Sequence, residues 1–381
     1  MGGAQMIVQF ITSNFRALRQ AADLSLLEAN ITEFQETLIR SQLDGSAVLP
    51  VSLLYGANGS GKSTVLEAIV YLKELISDPE HMMKKSCSFY GADSVPTSFD
   101  LVLRNEEREY EYILKLLNGN VTEETLFARK LSEPTYTIVF DRDKDGVFLG
   151  EGLDHIDVSP LKDEKPMLSF VLEQIRTNML LNEVRDMIMS LKVTDCSLLD
   201  DEPIHTVLAD DARRELFMQM LTNVQSGITG IEETKEGILV MIKEIQLGME
   251  KLGKGLQQLM RLYALAADAL STGATLLLDD VNQKLHPKAF KFLLQLFTDR
   301  SVNVKGAQLI GTSYDMPTMA NSVLRRDEIW ITDCAPNGES RLYPLALFVK
   351  ENGEKVRKDE TYFKQFLEGR YGTDIVPAPM H

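Results

Sequence analysis

The apolar positions along the chain predict an α/β protein whose main sheet combines two distant segments. A nearly continuous apolar run over 48–55 is typical of a strand buried on both faces, and apolar spacing over 62–76 predicts a helix directly after it. The same rhythm returns near the C-terminus. There, helices are predicted over 255–270 and 287–297, and strands over 275–279, 308–312 and 328–332. We therefore expect one doubly wound sheet built from both segments.

The region between these segments has a different pattern. Short alternating stretches over 97–149, separated by turn residues such as Asn118-Gly119, predict an antiparallel meander. Before the first α/β segment, two further strands are expected at 7–12 and 22–27. Helices over 166–190 and 208–223 and a strand over 238–245 follow the meander. The fold class is thus α/β, a mixed sheet with an antiparallel β subdomain plus a mostly helical insertion.

These patterns divide the chain into three parts. Residues 1–150 are the predicted N-terminal lobe, 151–245 the helical insertion and 246–381 the C-terminal lobe. Since the two α/β segments bracket the insertion, we expect the two lobes to form one unit.

The amino-acid composition disfavours several classes of protein. The chain has 40 Lys and Arg residues and 56 Asp and Glu residues, which gives a net charge of −16. A protein that coats nucleic acid is therefore disfavoured. No apolar stretch is long enough to span a membrane, and no leader pattern is found at the N-terminus, which predicts a cytoplasmic protein. The cysteines, Cys87, Cys196 and Cys334, are too few and too widely spaced for a disulfide framework or a zinc site.

One motif has specific chemistry. Residues 56–64, GANGSGKST, fit the phosphate-binding pattern GxxxxGK[ST], between a predicted strand and a predicted helix. In this pattern Lys62 would reach the β- and γ-phosphates, and the Ser63 hydroxyl would bind Mg²⁺. The residues expected to contact the nucleotide are Asn58, Gly59, Ser60, Gly61, Lys62, Ser63 and Thr64.

An acidic strand end further along the chain complements this motif. Asp279 follows the apolar run 275–278 and is the expected Mg²⁺-linked carboxylate, while Asp280 would orient or deprotonate the attacking water. Asp280 is one methylene shorter than the Glu usual at this position, and a displacement of about 1 Å can cost on the order of 10²-fold in rate. No NKxD guanine motif is present, so ATP is the expected nucleotide.

The chain resembles ABC-type P-loop ATPases of the SMC, RecF and OLD group. Segment 10–16 (FITSNFR), the GANGSGKST loop and segment 276–287 (LLLDDVNQKLHP) support this resemblance. More closely, the sequence resembles the compact bacterial ATP-binding proteins of the AAA type found in abortive-infection and phage-defence loci. Segments 96–116, 324–333 (LRRDEIWITD) and 355–372 (KVRKDETYFKQFLEGRYG) add to this second resemblance.

This resemblance implies an ATPase head that binds ATP and Mg²⁺ and pairs head-to-tail, so that ATP lies between one P-loop and the partner's signature segment. Here Gly253, Lys254 and Gly255 occupy the signature position but depart from the LSGGQ and LGDG forms. Tyr314 replaces the histidine that would contact the γ-phosphate. No glutamine lies between Val65 and Phe170, the interval where the Q-loop glutamine of such heads would be expected. These departures concern hydrolysis, so we predict nucleotide binding and leave turnover open.

The resemblance further implies a sensor or scaffold in a bacterial anti-phage system. The expected partners are a second copy in a homodimer or higher homo-oligomer, and a separate effector protein, a nuclease or a toxin. One alternative is a DNA-repair or chromosome-maintenance ATPase that acts on DNA. Nucleic acid is not favoured as a partner because of the acidic charge and the lack of a sustained heptad pattern. The other alternative is a scaffold that binds ATP without hydrolysing it.

Overall fold

Two large sheets of different character form the framework of the computed structural model, which describes residues 5–85, 87–174, 178–224, 227–235, 237–320, 322–349, 353 and 355–371. Residues 1–4 and 372–381 lie outside the described residues. They include Gly372, the last residue of the segment 355–372 that supports the resemblance. In the described part, the strands are β1 (Met6–Ser13), β2 (Ala22–Ser25), β3 (Ile39–Arg40), β4 (Ala47–Val48), β5 (Val51–Gly56), β6 (Thr97–Arg104), β7 (Arg108–Leu117), β8 (Asn120–Lys130), β9 (Thr137–Asp143), β10 (Gly146–Leu149), β11 (Lys192–Asp195), β12 (Ile228–Thr234), β13 (Gly237–Ile242), β14 (Ile245–Gly248), β15 (Thr275–Asp279), β16 (Gln308–Thr312), β17 (Ile329–Cys334) and β18 (Ser340–Pro344). The α-helices are α1 (Lys62–Ser77), α2 (Pro79–Met82), α3 (Met167–Gln174), α4 (Met179–Ser190), α5 (Glu202–Leu208), α6 (Asp211–Asn223), α7 (Lys254–Thr272), α8 (Pro287–Thr298) and α9 (Tyr362–Leu367).

The main sheet joins the two distant segments as predicted. Its order is β11-β15-β16-β5-β17-β18, and β5 from the N-terminal segment lies between β16 and β17 from the C-terminal one. The neighbours from β11 to β17 pair in parallel, and β18 is antiparallel to β17. The parallel strands therefore end at one common edge.

The second sheet is the predicted antiparallel subdomain. Its order is β10-β9-β8-β7-β6-β1-β2, so the run from β6 to β10 is a meander of sequential neighbours. The turn at Asn118 and Gly119 has positive φ at both residues, as a tight hairpin requires. The predicted α/β class with a separate antiparallel subdomain is confirmed.

Alternate residues of the main sheet face two different cores. Leu54, Leu277 and Ile310 point toward α1 and the antiparallel sheet, where the predicted apolar face of α1 is buried. On the opposite face, Leu53 and Leu276 belong to the core that includes α7 and α8. Burial on both faces explains why these strands have nearly continuous apolar sequences.

Three predicted elements differ in the structure. The expected strand over 48–55 is divided into β4 and β5, because Pro50 between them has no N–H to donate to a ladder. The helix predicted over 208–223 begins at Asp211, after the Asp210 side chain accepts the Arg213 N–H at 2.9 Å. The strand predicted over 238–245 is a hairpin of β13 and β14.

The part of the chain between 151 and 245 is mainly helical, with α3 to α6, but it also adds an edge strand to the main sheet. β11 pairs with β15, and β12 and β13 form most of a small separate sheet with β14. The boundaries 1–150, 151–245 and 246–381 stay predictions. Across the described residues, none of the helices combines the length and the apolar character needed to cross a membrane.

A buried charged cluster ties the N-terminal region to the start of β17. The Arg325 guanidinium is fully buried and donates two hydrogen bonds to Asp327, at 2.9 and 2.8 Å, and a further one to the Glu33 carbonyl. Asp327 also accepts the Ala29 N–H at 2.8 Å. The neighbouring Glu328 accepts the Arg325 N–H at 2.8 Å, and its Oε1 is buried without a hydrogen-bond partner. Burial raises the pKa of Glu328 to about 8.

We expect Glu328 to make stability depend on pH. The folded chain keeps the Glu328 proton up to about pH 8, whereas the unfolded chain loses it near the ordinary value of 4.5. The free energy of unfolding should therefore fall as pH rises through this window, and Glu328→Gln, which stays neutral and can still accept the Arg325 N–H, should remove that part of the fall. Denaturant unfolding at several pH values measures the difference. Glu106→Gln, at an exposed position, is the matched control, and identical pH profiles for wild type and Glu328→Gln would contradict the assignment.

Candidate active site

The parallel strands of the main sheet bring the predicted site residues to one edge. The glycine-rich loop follows β5, Asp279 ends β15, and Thr312 ends β16. The register pairs Thr312 with Leu54 and Asp195, the last residue of β11, with Asp279. In open α/β sheets, ligands bind at this carboxyl edge.

Close packing fixes the loop after β5 against β17 and β18. A Cβ on Gly56 would lie 2.1 Å from Thr332 Oγ1, and one on Gly61, whose φ is 95°, would lie 2.4 Å from Ser340 Oγ. The buried Ser60 hydroxyl is 2.5 Å from Thr332 Oγ1. Only glycine fits at positions 56 and 61, so these two glycines allow the loop to lie directly on the sheet.

The loop leads into the N-terminus of α1, as the motif predicts. No side chain caps this helix, and its N-cap Gly61 is left-handed. The first N–H groups of α1 thus have no partner within the helix, and the helix dipole favours an anion there. The predicted phosphate-contacting residues Asn58, Gly59, Ser60, Gly61, Lys62, Ser63 and Thr64 all lie in this loop and first helical turn.

Lys62 is buried, and its ammonium is held within its own loop. Nζ donates to the carbonyls of Gly56 and Ala57, both at 2.9 Å, and lies 4.0 Å from the centroid of the Tyr314 ring. Burial lowers the pKa of Lys62 to about 8, although the carboxylates of Asp280 and Asp279 act in the opposite direction. This places a lysine of unusual acidity at the mouth of an anion-binding loop.

Asp279 connects the loop to the second half of the site. The Ser63 hydroxyl donates to Asp279 Oδ1 at 3.0 Å, and the Thr312 hydroxyl donates to the same oxygen. The two residues predicted to bind Mg²⁺ are therefore in contact, although they are far apart in sequence. A hydroxyl beside a carboxylate is an oxygen pair that fits Mg²⁺, which takes its remaining ligands from water and phosphates. In the part of the chain that the structure describes, no group of three or more Asp, Glu, His and Cys could bind a metal ion without such ligands.

Asp280 has an uncommon backbone conformation that directs its carboxylate toward the site. Its φ is 52°, and its N–H donates to Thr312 Oγ1 at 2.8 Å, which stabilises this left-handed geometry. Burial and the adjacent Asp279 raise the pKa of Asp280, Asp195 acts in the same direction, and Lys62 opposes them. A carboxylate with a raised pKa is a better proton acceptor once ionised, as the predicted role requires.

Tyr314 lies above the loop rather than away from it. Asn282 Oδ1 accepts the Ser313 hydroxyl at 3.1 Å and the Tyr314 N–H at 3.0 Å, and so fixes the start of this segment. Burial and the charge of Asp280 raise the pKa of Tyr314, which keeps the phenol neutral. It is the ring face of Tyr314 that lies over Lys62.

The signature-like segment is on the surface. Gly253, Lys254 and Gly255 are exposed at the N-terminus of α7, and Gly253 provides no side-chain cap. A Cβ built on Gly255 would lie 3.5 Å from the Lys284 carbonyl oxygen, in the loop after Asp280. Within the described ranges, no hydrogen bond joins these three residues to the P-loop of the same chain. Their contact with nucleotide stays a prediction.

Sequence reasoning missed three residues that shape the site. Thr312 and Asn282 lie inside conspicuous segments, but their roles depend on hydrogen bonds across strands that a linear pattern does not specify. Asp195 gave no signal, because β11 has only four residues and becomes a neighbour of Asp279 through parallel pairing.

The sequence matches the model of a known protein family. A family model described as "AAA domain, putative AbiEii toxin, Type IV TA system" matches residues 51–148 and 205–314, just over half of the chain. No curated protein matches the sequence significantly.

Several solved structures of SMC heads are similar along most of their length. The SMC head domain from Thermotoga maritima has 16% identity and a TM-score of 0.48, and the match covers 89% of this chain and 98% of that one. An SmcHead bound to the C-winged helix domain of ScpA has 14% identity and a TM-score of 0.47, with 90% and 98% covered. An Smc head domain with an extended coiled coil, bound to the C-terminal domain of ScpA derived from Pyrococcus furiosus, has 12% identity and a TM-score of 0.41, with 89% and 96% covered.

The pKa of Lys62 predicts that ATP binding is linked to proton uptake. Since the free lysine titrates at about pH 8 and a bound phosphate favours its charged form, the affinity should fall as pH rises from about 7 to about 9. Calorimetry in buffers of different ionisation enthalpy would detect the proton taken up. Lys62→Arg, whose guanidinium stays charged throughout, should bind with a flat pH profile, and equal slopes for the two proteins would refute the prediction.

Proposed function

The chain belongs to the family described as "AAA domain, putative AbiEii toxin, Type IV TA system", and we propose that it is an ATP-binding head whose pairing controls a separate effector in anti-phage defence. It is a P-loop ATPase by family, and the proposal concerns its ligand, its assembly and its role. The observation that supports it best is the 3.0 Å contact between Ser63 and Asp279, beside the buried Lys62. This contact joins a phosphate loop to an acidic strand end.

In this proposal each group of the site has one task. The loop from Asn58 to Gly61 and the N-terminus of α1 bind the phosphates through backbone N–H groups. Lys62 binds the β- and γ-phosphates, and Ser63 and Asp279 hold Mg²⁺, which neutralises charge on the phosphate oxygens. Thr312 orients the Asp279 carboxylate, because its hydroxyl donates to the same oxygen as Ser63 does.

Hydrolysis is proposed to be slow. Asp280 is the group that would orient or deprotonate water, and its side chain, one methylene shorter than that of glutamate, leaves the carboxylate short of the position that a glutamate would reach. Tyr314 presents a neutral ring where a histidine would provide a cation or a base. Both features reduce turnover, while the loop, Lys62 and the N-terminus of α1 still provide the groups that bind phosphate.

A longer carboxylate at position 280 should accelerate turnover. We expect Asp280→Glu to raise steady-state phosphate release by about 10-fold or more, up to on the order of 10²-fold, because the carboxylate then reaches the attacking water. Asp280→Asn should release phosphate no faster than Lys62→Ala, which defines the background. If Asp280→Glu is no faster than wild type, the side-chain length at this position does not limit the reaction.

ATP is proposed to lie between two copies of the chain. Gly253 to Gly255 are exposed and uncapped at the start of α7, so a second copy can present these N–H groups and the charge of Lys254 to a γ-phosphate. The resemblance to ABC-type heads supports this arrangement. The defence role and the effector, a nuclease or a toxin, are supported by the family description and by the resemblance to proteins of abortive-infection loci.

Nucleotide-dependent pairing is the decisive test of this function. With ATP and Mg²⁺ the wild type should shift from monomer to dimer in light scattering, while Lys62→Ala should neither bind ATP nor pair. Lys254→Glu should bind ATP with the wild-type affinity and yet fail to pair, because the reversed charge repels the partner's triphosphate. Lys288→Glu, the same reversal at an exposed position on α8, is the control. A wild-type protein that gives no calorimetric signal with ATP would refute the whole proposal.

A further inference from the structure

The ammonium of Lys62 has three N–H donors, and two of them are already committed. They donate to the carbonyls of Gly56 and Ala57 at 2.9 Å each, from a side chain that is almost fully buried. Nζ also lies 4.0 Å from the centroid of the Tyr314 ring, well within the range of a cation–π contact. The third donor is left to face the ring, so the contact with Tyr314 is the one that an incoming anion would displace.

The position of the ring is set by the backbone, not by contacts of the phenol. Asn282 holds the Tyr314 N–H at 3.0 Å, and the Asp315 side chain caps the short turn that follows by accepting the Thr318 N–H at 3.1 Å. The Tyr314 side chain itself is 43% exposed. It can rotate toward solvent without disturbing either core.

We propose that the Tyr314 ring is an internal competitor for Lys62, which a phosphate oxygen must displace before it can reach the third N–H donor. The ring lowers the affinity of the free protein for ATP, and nucleotide loading moves Tyr314 from the loop to the surface. This inference rests on the proposed ATP binding and adds a residue that tunes it.

The effect of the contact between Tyr314 and Lys62 on the affinity for ATP can be predicted. A cation–π contact at a partly desolvated site is worth about a factor of five in an equilibrium constant, and it is strongest for tryptophan and weaker for phenylalanine and tyrosine. Leucine has a similar bulk but no ring quadrupole. The side chains at position 314 therefore separate a cation–π effect from simple steric blocking.

The test is the affinity for ATP and Mg²⁺ at about pH 7, where Lys62 is charged, in a series of Tyr314 variants. We expect Tyr314→Phe to bind like wild type, Tyr314→Leu and Tyr314→Ala to bind about fivefold more tightly, and Tyr314→Trp to bind more weakly. Phe148→Ala, which removes an exposed ring from the edge strand β10, should leave the affinity unchanged.

A fluorescence measurement checks the movement directly. The chain has a single tryptophan, Trp330, so Trp330→Phe combined with Tyr314→Trp leaves one indole over Lys62. ATP should change its emission toward that of a solvent-exposed indole, and the change should be lost when Lys62→Ala is added.

The outcomes separate this inference from the function that it builds on. Equal affinities across the series, or weaker binding by Tyr314→Leu and Tyr314→Ala, would overturn it, since the ring would then be neutral or would itself support the nucleotide. An unchanged indole spectrum on ATP binding would also overturn it. A wild type that does not bind ATP would instead refute the proposed function.

Discussion

The contact of Ser63 and Thr312 with one carboxylate oxygen of Asp279 is the interaction on which the site depends. These residues end or follow β5, β16 and β15, three parallel neighbours in the main sheet. Two hydroxyls donate to this one oxygen and hold the carboxylate at the end of β15, so a cation bound there has a defined position relative to the loop. A shift in the register of any one strand would separate these groups, because residues in a strand alternate between its two faces. The buried cores on both faces of the sheet prevent such a shift.

The loop imposes the second constraint, the burial of a cation. Placing Lys62 out of water is unfavourable, and burial lowers its pKa for this reason. Two carbonyls, an aromatic face and two nearby carboxylates compensate without forming an ion pair, so the charge stays available to an anion that can displace the weakest of them. A salt bridge at the same position would hold Lys62 more firmly and would oppose phosphate binding.

The sequence predicts those parts of the molecule that depend on local pattern. The motif at 56–64, the helix from Lys62 and the acidic end of β15 combine a strand, a turn and a helix start in consecutive residues, and all three were found in place. Pairing across the sheet is not local, and this is why Asp195, Thr312 and Asn282 were missed. Tyr314 shows the same limit in another way. The sequence shows only that it replaces a histidine, whereas its contact with Lys62 is made by the ring and depends on the backbone position fixed by Asn282.

The site combines a rigid half with an adjustable one, and this division favours control over rapid turnover. The loop is packed directly against β17 and β18, since neither Gly56 nor Gly61 has room for even a Cβ there. The segment at Tyr314, by contrast, is held by a few hydrogen bonds and has an exposed side chain. A ligand therefore meets a preformed phosphate cradle and changes mainly the position of the adjustable segment. Because that segment lies beside Asp280, whose strained backbone is stabilised through Thr312, its movement alters the surroundings of the group that would activate water. In the proposed function, a site built in this way would respond to bound nucleotide before any of it is hydrolysed.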